Sequence, residues 1–263
     1  MEEFSGIKVE IKDFIGVVTF DRPPVNATSR PMVLSIQRAF DGFNNNPAVR
    51  VAVLTGTGKM FCAGADIKQR SLDLESGHAL QPGAQSAHSR AGREAFNSIL
   101  DCDVPVIAAL NGPAIGAGLA FIASCDYMIA ADSAFVALGE INVGLLGGGR
   151  HAQRMFGTYG ARRMMYTGDR ISAAEMYRRN IIEKLVPADK LMEEAMAMAA
   201  NVASKSPLAI KLAKRAMNAI ETMTLRDGYR FEQGMTAELS HSDDAKEAAA
   251  AFVGKRKPVF KGR

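Results

Sequence analysis

Two glycine-rich turns carry the residues best placed to do chemistry in this chain. The first, Phe61-Cys62-Ala63-Gly64-Ala65-Asp66, follows the apolar run Val51 to Leu54. The second, Asn111-Gly112-Pro113-Ala114-Ile115-Gly116-Ala117-Gly118, follows Val104 to Leu110. A strand that runs into small residues and then a helix leaves N–H groups unpaired at the helix start, where an anion or a developing oxyanion can accept them. Two such turns aimed at one oxygen form an oxyanion hole, in which each donor contributes on the order of 3 kcal/mol to catalysis. Each turn also has a structural reading, because glycines after strands are ordinary turn residues that admit positive φ and close packing.

Other chemistries fail on spacing. A phosphate loop requires Lys-Ser or Lys-Thr after its last glycine, but Gly58-Lys59 is followed by Met60 and the earlier glycine position holds Val53. The dinucleotide fingerprint fails at Phe121, where the third glycine would stand after Gly116-Ala117-Gly118. No Gly-x-Ser-x-Gly elbow occurs, and no His, Cys and carboxylate cluster has metal spacing, so no metal is expected.

The elements that must position the turns read as α/β. Ile7, Val9 and Ile11 alternate with polar residues and Ile15 to Phe20 follows, which predicts a strand pair. Ser29 and Pro31 open a helix whose apolar positions Met32, Ile36, Phe40 and Phe43 share one face, and Asn44-Asn45-Asn46-Pro47 ends it. Strand signals recur at Val49 to Thr55, Val104 to Leu110 and Tyr127 to Ala131 in βα order. Ser71 to Ser89, with Gly77, Pro82 and Gly83, reads as a mobile loop. From Arg150 onward strand signals almost vanish. Ser172-Ala173-Ala174-Glu175 is a capping box, Pro187 to Ser204 and Pro207 to Met223 read as helices, and Met192, Met196 and Met198 as apolar filler.

Composition bounds the class. With 263 residues, 48% hydrophobic and 23% charged, the chain reads as an ordinary globular protein. A net charge of +4 without Trp or a basic stripe argues against nucleic acid. The Met1-Glu2-Glu3 start and the lack of a membrane-length apolar run lead to a cytoplasmic expectation, away from membranes. Cys62, Cys102 and Cys125 are read as reduced core thiols.

In this order the turns, with Ile67-Lys68, Glu140-Ile141-Asn142-Val143-Gly144, Thr167-Gly168, Ser206-Pro207 and Lys255-Arg256-Lys257-Pro258-Val259-Phe260, resemble the crotonase (enoyl-CoA hydratase/isomerase) superfamily over essentially the whole chain. The resemblance implies an α/β spiral of ββα repeats with a C-terminal helical region. Residues 1–160 would form the core with the acyl-CoA site, and 161–263 a helical trimerisation region of the same functional unit. It further implies a homotrimer or dimer of trimers, and a coenzyme A thioester as substrate with no other cofactor.

Carried over residue by residue, the oxyanion donors fall on the N–H groups of Ala65 and Ala117, in turns supported by Gly64, Gly116 and Gly118. Hydratases of the family use two glutamates. Here Ala120 occupies the first position, and the second is kept as Glu140, with Gly139 where a proline is usual. Glu140 is then the acid/base, and without the resemblance it would pass for a surface-turn residue. One carboxylate suffices for a 1,3-proton shift in an enoyl-CoA, while hydration would need a substitute acid. Gly147-Gly148-Gly149-Arg150-His151 departs from the hydratase pattern near the acyl pocket. His151 is a substitute acid/base or a solvated helix start; Arg150 could meet a polar or carboxylate group of the acyl part. Asp66 is read as a helix cap. Ala63, Asp66, Ile67 and Lys68, and from a neighbouring subunit Lys257 and Phe260, are candidate CoA contacts. Two alternatives stand beside the hydratase/isomerase reading: a decarboxylase or C–C lyase of the same fold, and a catalytically silent acyl-CoA-binding subunit.

Overall fold

The computed structural model describes residues 4–77 and 81–263. Met1-Glu2-Glu3 and His78, cited above, lie outside them. The chain opens with β1 (Ile7–Lys12) and β2 (Ile15–Phe20), then α1 (Arg30–Phe43). Next come β3 (Val51–Gly56), α2 (Ile67–Glu75) and α3 (Ala84–Leu100), then β4 (Val106–Leu110), β5 (Ala114–Ile115) and α4 (Ala117–Ser124). β6 (Tyr127–Ala131) and β7 (Phe135–Ala137) lead through a 3₁₀ turn, Gly139–Val143, into α5 (Gly149–Thr167). The remainder is β8 (Ile171–Ser172), α6 (Ala173–Arg178), β9 (Lys184–Val186), α7 (Leu191–Ala203), α8 (Pro207–Ile220), α9 (Leu225–Ser240) and α10 (Asp243–Val253).

The larger sheet has the order β1-β2-β3-β4-β6-β9; β1 and β2 are antiparallel and every other pair is parallel. Parallel strands are covered on both faces, so β3 and β4 are nearly continuous apolar runs rather than alternating ones. The period of two still decides which core each side chain joins. Ala52, Leu54, Val106, Ala108 and Leu110 face one core with Met32, Ile36, Phe40, Ile99 and Phe121. Val51, Val53, Ile107, Ala109 and Ile129 face the other, against Leu191, Ala195, Ala199 and Ala203 of α7. The i, i+4, i+8 alanines let α7 lie close to the sheet. A small second sheet, β5-β7-β8, sits at the exit of β4.

The expected start of α1 is seen: Ser29 accepts from the Met32 N–H, Pro31 occupies the first turn, and Met32, Ile36, Phe40 and Phe43 are all buried. Ser172 likewise accepts from the Glu175 N–H. Two expectations are corrected. The described part of Ser71 to Ser89 is mostly helix, because Gly77 and Gly83, with φ of +71° and +82°, lie outside both α2 and α3. Strands also continue past Arg150: β8 joins the small sheet, and β9 pairs with β6 as the last strand of the large one. Segments of two or three residues are too short to show a period. Among the described residues no helix is long and apolar enough to cross a membrane.

Candidate active site

The two turns are zipped together at the carboxyl ends of β3 and β4. The N–H groups of Phe61 and Cys62 donate to Pro113 O at 3.1 and 3.2 Å, and the Ile115 N–H donates back to Cys62 O at 2.9 Å. No side chain fits between them. A Cβ on Gly118 would lie 3.0 Å from Cys62 Cβ, and one on Gly64 would lie 2.9 Å from Ile115 O and 3.6 Å from the Ala117 nitrogen. Gly64, at φ +91°, therefore brings the start of α4 up to the first turn. Ala117 is the first residue of α4, so its N–H has no intrahelical acceptor. Around Ala65 the bonds run from the Thr28 N–H to Gly64 O (2.8 Å) and from the Asp66 N–H to Thr28 O (3.1 Å). Among the described residues neither the Ala65 nor the Ala117 N–H has a protein acceptor. Two free donors thus end up side by side.

Glu140 lies directly beside the second turn. A Cβ on Gly116 would overlap Glu140 Oε1 and stand 2.7 Å from Cδ and 3.2 Å from Oε2, so the carboxyl rests on the bare Cα that precedes Ala117. Gly116 holds φ +55° and donates its N–H to Ala137 O at 3.0 Å. The 3₁₀ turn carrying Glu140 is closed by the Leu145 N–H donating to Glu140 O at 2.9 Å, with Gly144 left-handed at its end. Glu140 Oε2 is buried without a hydrogen-bond partner among the described residues. Burial pushes the Glu140 pKa above the usual carboxylate range, with its own backbone N–H as a smaller opposing influence. A buried carboxyl with an unfilled acceptor is prepared to hold or take a proton. Ala120 is buried in α4 and supplies no second acid.

The glycine stretch after Glu140 returns to the same place. A Cβ on Gly148 would lie 2.7 Å from Leu138 Cδ2 and 4.0 Å from Gly116 O, which sets the start of α5 against the second turn. Arg150 is exposed there and forms no ion pair among the described residues. His151 packs edge-on to Phe96, with ring centroids 5.1 Å apart. Its pKa is pushed down by burial first and then by Arg154 and Arg150, so the ring is neutral near pH 7.

Asp66 does what a cap does. Its carboxylate accepts from the Gln69 N–H at 3.1 Å and pairs with Arg22 at 2.7 Å, and these two contacts hold its pKa below the usual range. Ile67 and Lys68 follow on the exposed first turn of α2, and Ala63 is half-buried, its N–H donating to Val25 O. Sequence reading missed Arg22 and Asn26. Asn26 is fully buried at φ +51°; its amide donates to Thr57 O, Met60 O and Phe61 O, and its Oδ1 accepts from the Arg22 N–H. An asparagine after Pro23-Pro24 was the available turn signal.

Lys257 and Phe260 lie elsewhere. Arg50, just before β3, donates to Phe260 O at 3.3 Å, whereas Ala65 follows the far end of that strand, about 20 Å away at the usual rise per residue. Within one chain the tail does not reach the turns. A cleft of about 460 Å³, lined by Asp126, Arg154, Arg179, Glu183 and Glu221 among others, likewise opens at the opposite end of α4.

Comparison with known proteins agrees with this fold. The family model described as Enoyl-CoA hydratase/isomerase matches residues 10–263. A probable enoyl-CoA hydratase of Rhizobium meliloti (strain 1021) is 34% identical over 265 residues, covering 99% of each chain. A (7aS)-7a-methyl-1,5-dioxo-2,3,5,6,7,7a-hexahydro-1H-indene-carboxyl-CoA hydrolase of Rhodococcus jostii (strain RHA1) is 33% identical over 246 residues, covering 94% of this chain and 93% of its own. The crystal structure of an enoyl-CoA hydratase from Bacillus anthracis superposes with a TM-score of 0.90 at 32% identity, covering 98% of this chain and 100% of that one. The fold is that of the crotonases, an α/β core with a C-terminal helical region. This chain belongs to the enoyl-CoA hydratase/isomerase family of enzymes.

Proposed function

We propose that the chain polarises the carbonyl of an enoyl-CoA thioester between the Ala65 and Ala117 N–H groups and that Glu140 alone moves the proton. The observation that carries this is the Glu140 carboxyl resting on Gly116, beside the free Ala117 N–H, with Oε2 unpartnered. Ala120 leaves that carboxyl without a second acid, which favours a 1,3-shift of the double bond: Glu140 takes a proton from one carbon and returns it two carbons away through the enolate. Hydration is the second form of the same reading, with His151 as the substitute base that takes a proton from the attacking water while Glu140 protonates the α-carbon. The lowered His151 pKa and its position three residues beyond Gly148 support that role. Decarboxylation or C–C cleavage is favoured instead by exposed Arg150 and by the likeness to the Rhodococcus hydrolase, since enolate stabilisation can then serve without Glu140.

We further read 1–160 as the acyl-CoA core and 161–263 as a helical region that assembles a homotrimer or a dimer of trimers. Leu225, Phe252 and Val253, exposed by 92, 87 and 82%, support a covered face there. In such an assembly Lys257 and Phe260 would reach a neighbour's CoA, which in this reading is the only cofactor-like group required.

The test is deuterium uptake from heavy water into saturated, 2-enoyl, 3-enoyl and dicarboxylic acyl-CoA thioesters, read by mass spectrometry. Glu140→Gln should reduce exchange and conversion by about 1,000-fold or more while acyl-CoA still binds. Loss of carbon dioxide at an unchanged rate in that variant would assign the decarboxylase reading, and binding with no reaction in either protein the silent-subunit reading. Because the Glu140 pKa is raised, the wild-type rate should fall with decreasing pH around a value above the ordinary carboxylate range. For stability the sign is opposite. A carboxyl with a raised folded pKa favours the fold below its unfolded value of about 4.3 and loses that contribution as pH rises through the folded value. Glu140→Gln should therefore melt no lower than wild type at pH 7.

A further inference from the structure

Helix α4 presents the Ala117 N–H at one end, and its other end is held by a residue outside both turns. From Gly118 to Ser124 every residue of α4 is buried, so its last carbonyls must find partners in the protein. The Ser124 hydroxyl donates to Ala120 O at 2.9 Å and the Cys125 N–H to Ile122 O at 3.2 Å. Arg154 takes the next ones: its Nη1 donates to Ala123 O at 2.6 Å and to Cys125 O at 3.4 Å. The other edge of the same guanidinium faces outward, with Nε 2.9 Å and Nη2 2.7 Å from Glu221 Oε1. Glu221 ends α8, in the C-terminal helical region. One planar fork therefore joins the exit of the oxyanion helix to the helices that follow the core. A lysine, with its donors on a single point, cannot span both partners.

The length of α4 makes this connection matter. Eight residues give a rod about 12 Å long, too short to bend away a displacement at one end. Gly118 packs on Cys62 near the entrance and so acts as the fulcrum; a shift at Ala123 tilts the rod about it and swings the Ala117 N–H. A donor to an oxyanion acts only when held within a few tenths of an ångström of its aim. The cation also lies where the helix dipole favours one.

We propose that Arg154 is a positioning residue for the oxyanion donor. It fixes the axis of α4, and through Glu221 it makes the aim of the Ala117 N–H depend on how the C-terminal helices are seated. This rests on the reading of Ala117 as an oxyanion donor. The test uses the full-length protein as wild type, Arg154→Gln, Arg154→Lys and Glu221→Gln, each with bound butyryl-CoA carrying ¹³C at the thioester carbonyl. Infrared difference spectra read the polarisation of that carbonyl, and exchange kinetics and thermal melting are measured alongside. Wild type should shift the carbonyl to lower frequency. Arg154→Gln should lose most of that shift and about 10- to 100-fold in kcat while KM changes less than about threefold; Arg154→Lys should keep part of both, and Glu221→Gln should lose about threefold in kcat. Folded variants with the wild-type carbonyl shift overturn the proposal, whether or not they melt earlier. Should Arg154→Gln not fold, Arg154→Lys and Glu221→Gln decide by the same reading. A wild type that leaves the carbonyl unshifted overturns the oxyanion reading, and the Arg154 proposal with it.

Discussion

The first turn and the second present the same kind of donor, yet they are held by different means. Around Ala65 the chain is strung on polar bonds to distant residues: the Asn26 side chain gathers three carbonyls, Arg22 pairs with Asp66, and the Thr28 backbone bridges Gly64 and Asp66, while Ala65 itself stays exposed. Around Ala117 the chain is held by packing. Gly118 presses on Cys62, Leu119 to Ser124 are buried, and the Glu140 carboxyl lies on Gly116. Polar bonds each contribute about 0.5–1.5 kcal/mol net, and several are needed to fix a loop. Close packing fixes a position with no side-chain group to spare. Damage to the first turn should therefore register mainly as stability, and damage to the second mainly as rate.

The largest expected effect is at Gly116. Its replacement by Ala puts a methyl group into Glu140 Oε1 at a positive φ, and the carboxyl must leave its place. Proton exchange into the thioester should fall by about 100-fold or more, since a misplacement of about 1 Å is enough for that. An unchanged rate would break the contrast. Next is Asn26→Ala, which removes the shared donor from the carbonyls of Thr57, Met60 and Phe61, leaves the buried Phe61 O unpaired and keeps only Asn111 as a donor to Met60 O. Denaturant unfolding should show a loss of about 3 kcal/mol; a loss below about 1 kcal/mol would mean that the first turn does not depend on this hub. The smallest is Asp66→Ala, which removes the cap of α2 and the partner of Arg22 and should cost about 1 kcal/mol. Because the Asp66 pKa is lowered, its contribution is present above about pH 4 and is lost as pH falls through the depressed value, so variant and wild type should converge in stability in acid.

What could be read from the sequence follows the same division. The second turn, the strand before it and the buried face of α1 are local: spacing along one segment determines them, whereas Glu140 stood out only through the family resemblance and not through any local period. The network of the first turn is not local. Arg22 meets Asp66 from 44 positions away and Asn26 meets Met60 from 34, and no period within either segment records the pairing. α2 and α3 were hidden because their polar composition and the glycines between them read as loop; β8 and β9, because two or three residues cannot display alternation. Arg154 was hidden for another reason: its partners are backbone carbonyls, and any residue type supplies those.

The knitting of the first turn also bears on where this chain can tolerate a change of length. An insertion between Arg22 and Asn26, or between Thr57 and Phe61, would break several carbonyl contacts at one asparagine, so those segments are closed to drift in length. The stretch after Gly144 is open: a Cβ on Gly147 would meet nothing within 4 Å and Leu146 is 82% exposed, while Gly144 itself is held to glycine by its φ of +69°. Changes at 146–147 in this chain therefore disturb little packing, in a segment that borders Glu140 and contains neither Ala65 nor Ala117.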